Sequence, residues 1–139
     1  MNMLLKENDE KYGFIKEDEY YNILKEKFDK TLIKNSRYNL FDFIGEDCCI
    51  ELKSRRNTHN KYPDTMIGSN KIDYAMNNNK SVIFCFLFTD GLFYYKFDKN
   101  DVFNKRLRIG SGGRCDRGIS EYKNDYFYIP IDLLIKVII

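Results

Sequence analysis

Histidine is almost missing from this chain: His59 is the only one in 139 residues. Any Ser-His-Asp, Cys-His or multi-histidine metal mechanism would rest on that single imidazole, which removes several enzyme classes at once. Cysteine is sparse and poorly spaced for metals. Positions 48, 49, 85 and 115 form no C-x2-C pair, so neither a zinc site nor a disulfide framework is indicated. Free thiols fit a reducing compartment, and Cys85, inside an apolar run, reads as a small core residue. No apolar run reaches the ~18 residues of a membrane span. The longest, Val82 to Phe88, suits a buried strand. Met1–Asp9 carries no signal-peptide apolar region, so the expectation is a cytoplasmic or nuclear protein, not secreted and not membrane-bound. A dominant charge sign is missing too: 23 basic residues face 21 acidic ones, for a net charge of +2. That balance excludes a histone-like polycation and an acidic disordered tail. Contact with nucleic acid must come from local basic patches.

What is present suits one domain, residues 1–139. Apolar residues make up 43% of the chain, enough for a single core. The first ten residues are polar and expected to be loosely held. From Ile15 to Lys34 the pattern is helical, with Glu17, Tyr20, Tyr21, Leu24, Phe28, Thr31 and Leu32 on one stripe. Glu17 is the odd member, an acid facing the core from the first turn. Tyr38–Ile44 alternates as a strand with Tyr38, Leu40, Asp42 and Ile44 on one face. Gly45-Glu46-Asp47 turns it into a second strand, Cys48–Ser54. There Cys49, Glu51 and Lys53 share one face, while Ile50 and Leu52 share the other. A polar loop over Arg55–Asp64 leads to a helix over Met66–Asn78, on which Lys71 lines up with Ile67, Tyr74 and Ala75. Val82–Phe88 is a central strand covered on both faces, and Thr89-Asp90-Gly91 turns it into Leu92–Phe97. A Gly- and Arg-rich segment follows over 105–118. Tyr126–Ile129 is a late strand broken by Pro130, and Ile131–Ile139 is a short apolar helix or strand.

Three charged residues fall where charge is costly. Asp42 lies between Leu40 and Ile44, and Glu51 and Lys53 follow Cys48-Cys49-Ile50 on the next strand. Asp42 and Glu51 flank a tight turn, so they can approach across an antiparallel ladder. Two carboxylates brought together repel, and one takes up a proton unless a cation sits between them. An oxygen-only site with open positions suits Mg2+ or Mn2+. Lys53 would then stand beside that site to position a water or stabilise charge on a phosphate. On any sheet face a bare E-x-K is more often an ordinary ion pair. Here the upstream Asp, the preceding helix and the inward Lys71 favour chemistry.

Asp42 followed by Ile50-Glu51-Leu52-Lys53-Ser54-Arg55 resembles the D…(D/E)-x-K signature of PD-(D/E)XK nucleases. The Glu-Leu-Lys-Ser-Arg string is similar to archaeal-type Holliday-junction resolvases and to small phage or viral members. The order helix, strand, strand with E-x-K, helix, strand matches that core over roughly residues 15–97. The resemblance implies an α/β fold, a restriction-endonuclease-like core with a mixed central sheet flanked by helices. It implies a metal-dependent endonuclease acting on DNA, RNA being the lesser alternative, with Asp42, Glu51 and the Leu52 carbonyl as metal ligands and Lys53 orienting water. Glu17 would join from the first helix, with Glu19 as the fallback, and Lys71 would help with phosphate or water. Arg55, Arg56 and Lys61 on the following loop, and Arg114 and Arg117 in the Gly-rich segment, would meet phosphates. That segment lacks the Walker pattern, so nucleotide hydrolysis is not supported. His59 is expected to be a surface loop residue. A homodimer through the apolar C-terminus is a further expectation. The competing class is a catalytically silent nuclease-fold module that binds nucleic acid or protein.

Overall fold

A computed structural model describes residues 3–35, 40–110 and 126–139 of the chain. Its organising element is β5 (Ser81–Phe88), in which every residue after Ser81 is buried. An all-apolar, β-branched and aromatic strand is what a sheet covered on both faces requires. Phe84, Phe86 and Phe88 project into one core; Ile83, Cys85 and Leu87 project into the other. β3 (Cys48–Ser54) runs parallel to β5, pairing Glu51 with Phe84 and Lys53 with Phe86. β6 (Gly91–Lys96) returns antiparallel through the two-residue turn Thr89-Asp90, and Gly91 takes a positive φ of 146° that a side chain would strain.

β1 (Ile33–Lys34), β2 (Phe43–Ile44) and β9 (Ile135–Lys136) complete a mixed six-stranded sheet in the order β1-β2-β3-β5-β6-β9. β4 (Asp64–Gly68), β8 (Tyr126–Pro130) and β7 (Arg108–Gly110) form a smaller antiparallel sheet. Its Ile67, Phe127 and Ile129 join the core on the Phe84 side, together with Ile72 and Ala75 of helix α2 (Ser69–Met76). Helix α1 (Met3–Lys27) covers the opposite face, burying Leu24 against Ile50, Leu52, Ile83 and Cys85. The short helix α3 (Lys99–Phe103) opens with Asp98 accepting from the Asn100 amide. The fold class is α/β with a mixed central sheet flanked by helices, compatible with a restriction-endonuclease-like core.

Several elements differ from the sequence reading. α1 begins at Met3, so the first ten residues are largely helical, and it stops at Lys27 well short of Lys34. It stops because Asp29 turns the chain: its carboxylate accepts from the Thr31 amide at 2.8 Å and the Thr31 hydroxyl at 2.6 Å. The expected strand Tyr38–Ile44 is reduced to Phe43–Ile44; residues 36–39 lie outside those described, and 40–42 bend. Met66–Gly68, expected as helix, is the end of β4, because its backbone pairs with β8. Ile131–Ile139 combines a 3-10 turn over Ile131–Leu133 with β9, the outer partner of β6. The segment 111–125, with Arg114 and Arg117, lies outside the described residues.

Candidate active site

The site forms where β2 ends beside β3. Gly45 N–H donates to the Cys48 carbonyl at 2.8 Å, and the register pairs Phe43 with Ile50, so Asp42 and Glu51 come next in register. The ladder does not continue to them. The Phe41 carbonyl, the natural acceptor for the Leu52 amide, instead takes a hydrogen bond from the Asn35 side chain at 3.1 Å. Asp42 replaces it: its Oδ2 accepts from the Leu52 amide at 2.8 Å. A carboxylate thus caps the edge of β3 that β2 leaves open. The Leu52 carbonyl leaves the strand on the same side as its amide, toward Asp42.

Glu17 reaches this point from α1. Tyr21, one turn further along the helix, stacks on Phe43 with ring centroids 5.6 Å apart, which sets this part of α1 beside β2. Glu17 accordingly hydrogen-bonds Asp42. Burial, then the hydrogen bond and charge of Asp42, push its carboxyl up to about 8. Glu19, the fallback, points outward and pairs with Lys16 at 3.1 Å. Of the two acids, Glu17 is the one beside Asp42.

Glu51 faces the other core with Cys49, only 3% exposed. Helix α2 meets it there: the Tyr74 hydroxyl is 4.0 Å from Cys49 Sγ, and one turn earlier Lys71 Nζ lies 2.6 Å from Glu51 Oε2. The inward lysine anticipated from the helical stripe is therefore present. The contact is short but poorly directed, and buried Oε2 accepts no well-aligned hydrogen bond from the described residues. Lys53 is half-buried on the same face, in line with Phe86 and Phe93.

The charged groups thus fall into two pairs, Glu17 with Asp42 and Glu51 with Lys71. Among the described residues, no three His, Cys, Asp or Glu side chains group tightly enough to hold a metal ion. The donor set nonetheless fits a hard divalent cation: the carboxylates of Glu17 and Asp42 in hydrogen-bond contact, that of Glu51, and the Leu52 carbonyl on the open edge of β3.

The basic rim is mixed. Arg55 is committed inward: its guanidinium donates to the Met66 carbonyl at 3.1 Å and lies 5.9 Å from the Phe86 ring. Arg56 is exposed and sits 4.7 Å over the ring of Tyr12 on α1, while Lys61 is exposed beside Tyr62. His59, expected as a plain surface residue, is half-buried and anchored. Its Nδ1 lies 2.5 Å from Asp90 Oδ2, its backbone amide donates to Asp90 Oδ1 at 2.8 Å, and its ring stacks on Phe93 at 4.5 Å. The Tyr12–Arg56 and His59–Asp90 contacts had no signal in the sequence, because each joins residues more than thirty positions apart.

A mixed sheet with an acid at the end of one strand and E-x-K on its neighbour, between a leading helix and a crossover helix, defines the PD-(D/E)XK class. Within it, the chain matches the family described as "Phage putative PDDEXK endonuclease" over residues 16–137, and it belongs to that family. No curated protein and no solved structure matches the chain.

Proposed function

We propose that this single-domain chain is a divalent-metal-dependent nuclease that hydrolyses DNA phosphodiester bonds, acting as an endonuclease inside the cell. Membership of a nuclease family supports the general class. The observation that carries the finer reading is the Asp42 carboxylate capping Leu52 while hydrogen-bonded to Glu17. Carboxyl groups crowded beside the E-x-K strand are costly unless a cation is their usual partner. Mg2+ or Mn2+ held by Asp42, Glu51 and the Leu52 carbonyl would supply the positive charge that attracts a phosphate and eases ionisation of water.

The chain's own residues supply the rest. Lys53 orients the attacking water and stabilises charge growing on the phosphate. Glu17 holds Asp42 in place. Lys71 balances Glu51. Arg56 and Lys61 meet phosphates in the ground state, and the charge of Arg114 and Arg117 suits them to the same role. Arg55 adds charge beside β3 while its guanidinium ties β3 to β4.

One observation favours a second reading, a silent nucleic-acid-binding module: Lys71 already neutralises Glu51 at 2.6 Å. A plasmid-nicking assay in Mg2+, Mn2+ and EDTA separates the two. The nuclease nicks in metal and not in EDTA, and Asp42→Ala and Glu51→Ala abolish nicking. Lys53→Ala slows single-turnover cleavage by roughly 10²–10³-fold with DNA binding intact, on the precedent of other preorganised charge stabilisers. Plasmid binding without nicking in either metal would establish the silent module instead.

A further inference from the structure

Glu51 is a carboxylate in the middle of a core-facing strand row, between Cys49 and Lys53 and beside Phe84. A charge so placed must be neutralised, and removing its partner leaves an uncompensated buried ion. Lys71 is that partner, itself only 16% exposed along its side chain. The geometry of the contact is unusual. Nζ sits 2.6 Å from Oε2, yet no well-aligned hydrogen bond reaches that oxygen from the described residues. The ammonium acts there as a compact positive charge, which is also how a metal ion acts on a carboxylate. Arginine would have formed a forked, directional pair; lysine is the side chain whose point charge can be exchanged for another.

We propose that Lys71 is a resident counter-ion that occupies the cation's place at Glu51 and yields it when a divalent ion binds. This rests on the metal-dependent reading of the site. It accounts for how the charged groups stand without metal: Glu17 is hydrogen-bonded to Asp42, Glu51 has an ammonium beside it, and a divalent ion takes the ammonium's place. The displaced lysine remains on α2 at the rim, where its charge is then available to a phosphate.

The test compares wild type, Lys71→Met, Glu51→Gln and the double variant by thermal melting and direct Mn2+ binding, each with no DNA present. In EDTA, Lys71→Met should melt below wild type, because Glu51 is left unpaired. Mn2+ should raise its melting temperature by more than it raises that of wild type. Its Mn2+ affinity should tighten by roughly tenfold or more, since wild type must first break a buried pair. The double variant should recover the melting temperature in EDTA and lose the Mn2+ response. Lys71→Arg, which keeps the charge and folds with a partner for Glu51, should bind Mn2+ more weakly than wild type. Wild type binding Mn2+ while Lys71→Met binds no tighter would overturn the exchange and leave the metal site standing. Absence of Mn2+ binding in all variants would overturn both.

Discussion

A single buried carboxylate, Asp29, holds the turn on which the site depends. It accepts from the Thr31 amide and hydroxyl and from the Asp47 amide at 2.9 Å, so it joins the end of α1 to the β2–β3 turn. The Thr31 hydroxyl, then the Asp47 and Thr31 amides, hold its carboxyl below its ordinary 3.8. A depressed carboxyl pKa contributes stability above the unfolded value and loses it as pH falls through the folded one. Melting followed from neutral to acid pH should therefore fall more steeply below about pH 4 for wild type than for Asp29→Asn. The variant should be less stable at neutral pH. Gly45 is the complementary residue: a methyl there would lie 2.4 Å from Asp29 Oδ2, which its hydrogen bonds keep from moving aside. Gly45→Ala should cost roughly 1–3 kcal/mol in denaturant unfolding, the usual range for a forced overlap in a packed site.

At the scale of elements, the loop over 55–63 is the segment that joins β3 to its surroundings. The Arg55 amide donates to the Leu87 carbonyl at 2.8 Å, and the Thr89 amide donates to the Asn57 carbonyl at 3.0 Å. His59 adds two bonds to Asp90, and Arg56 lies over Tyr12 of α1. The loop therefore spans from α1 to the β5–β6 turn, carrying Arg56 and Lys61 at fixed places on the rim. His59→Leu should loosen it, read as faster amide exchange at residues 57–61 with β3 and β5 still protected. DNA affinity should weaken several-fold while cleavage of bound DNA is unchanged. His59→Asn, which can still donate to Asp90, should restore most of the affinity. Loss of the cleavage rate at saturating DNA would instead assign His59 a chemical role.

Over the whole molecule, β5 is the wall between two cores, so neither can loosen without the other. Phe84, fully buried and paired to both Glu51 and Tyr95, stands at that wall. Phe84→Ala should lose about 3–5 kcal/mol in denaturant unfolding, the usual cost of emptying a buried aromatic site. Unfolding by near-ultraviolet and far-ultraviolet dichroism should coincide in one transition, as in a single cooperative domain. At the other extreme, Ile138 and Ile139 are 84% and 79% exposed beyond buried Val137. Removing those two residues should leave the melting temperature of a dilute sample unchanged. No described helix is long and apolar enough to cross a membrane.

Much of this was legible along the chain. β3 was readable to the residue, and with it the face shared by Cys49, Glu51 and Lys53, because strand alternation needs no knowledge of partners. β5 announced itself by seven consecutive apolar residues, the composition of burial on both faces. Lys71 and Glu17 stood out as charges on apolar helical stripes, and both point inward. The remainder depended on partners distant in sequence. Residues 64–68 are extended because β8, some sixty positions later, supplies their ladder bonds, and no local pattern carries that information. Asp42 stood out as an acid on a strand, but its bond to the Leu52 amide did not, because that follows from Asn35 claiming the Phe41 carbonyl. The pairing of carboxyls and ammonium at the site is likewise a product of packing. Sequence periodicity sets which face a charge takes, but the helix laid across that face settles which charge it meets and how much solvent remains to screen it.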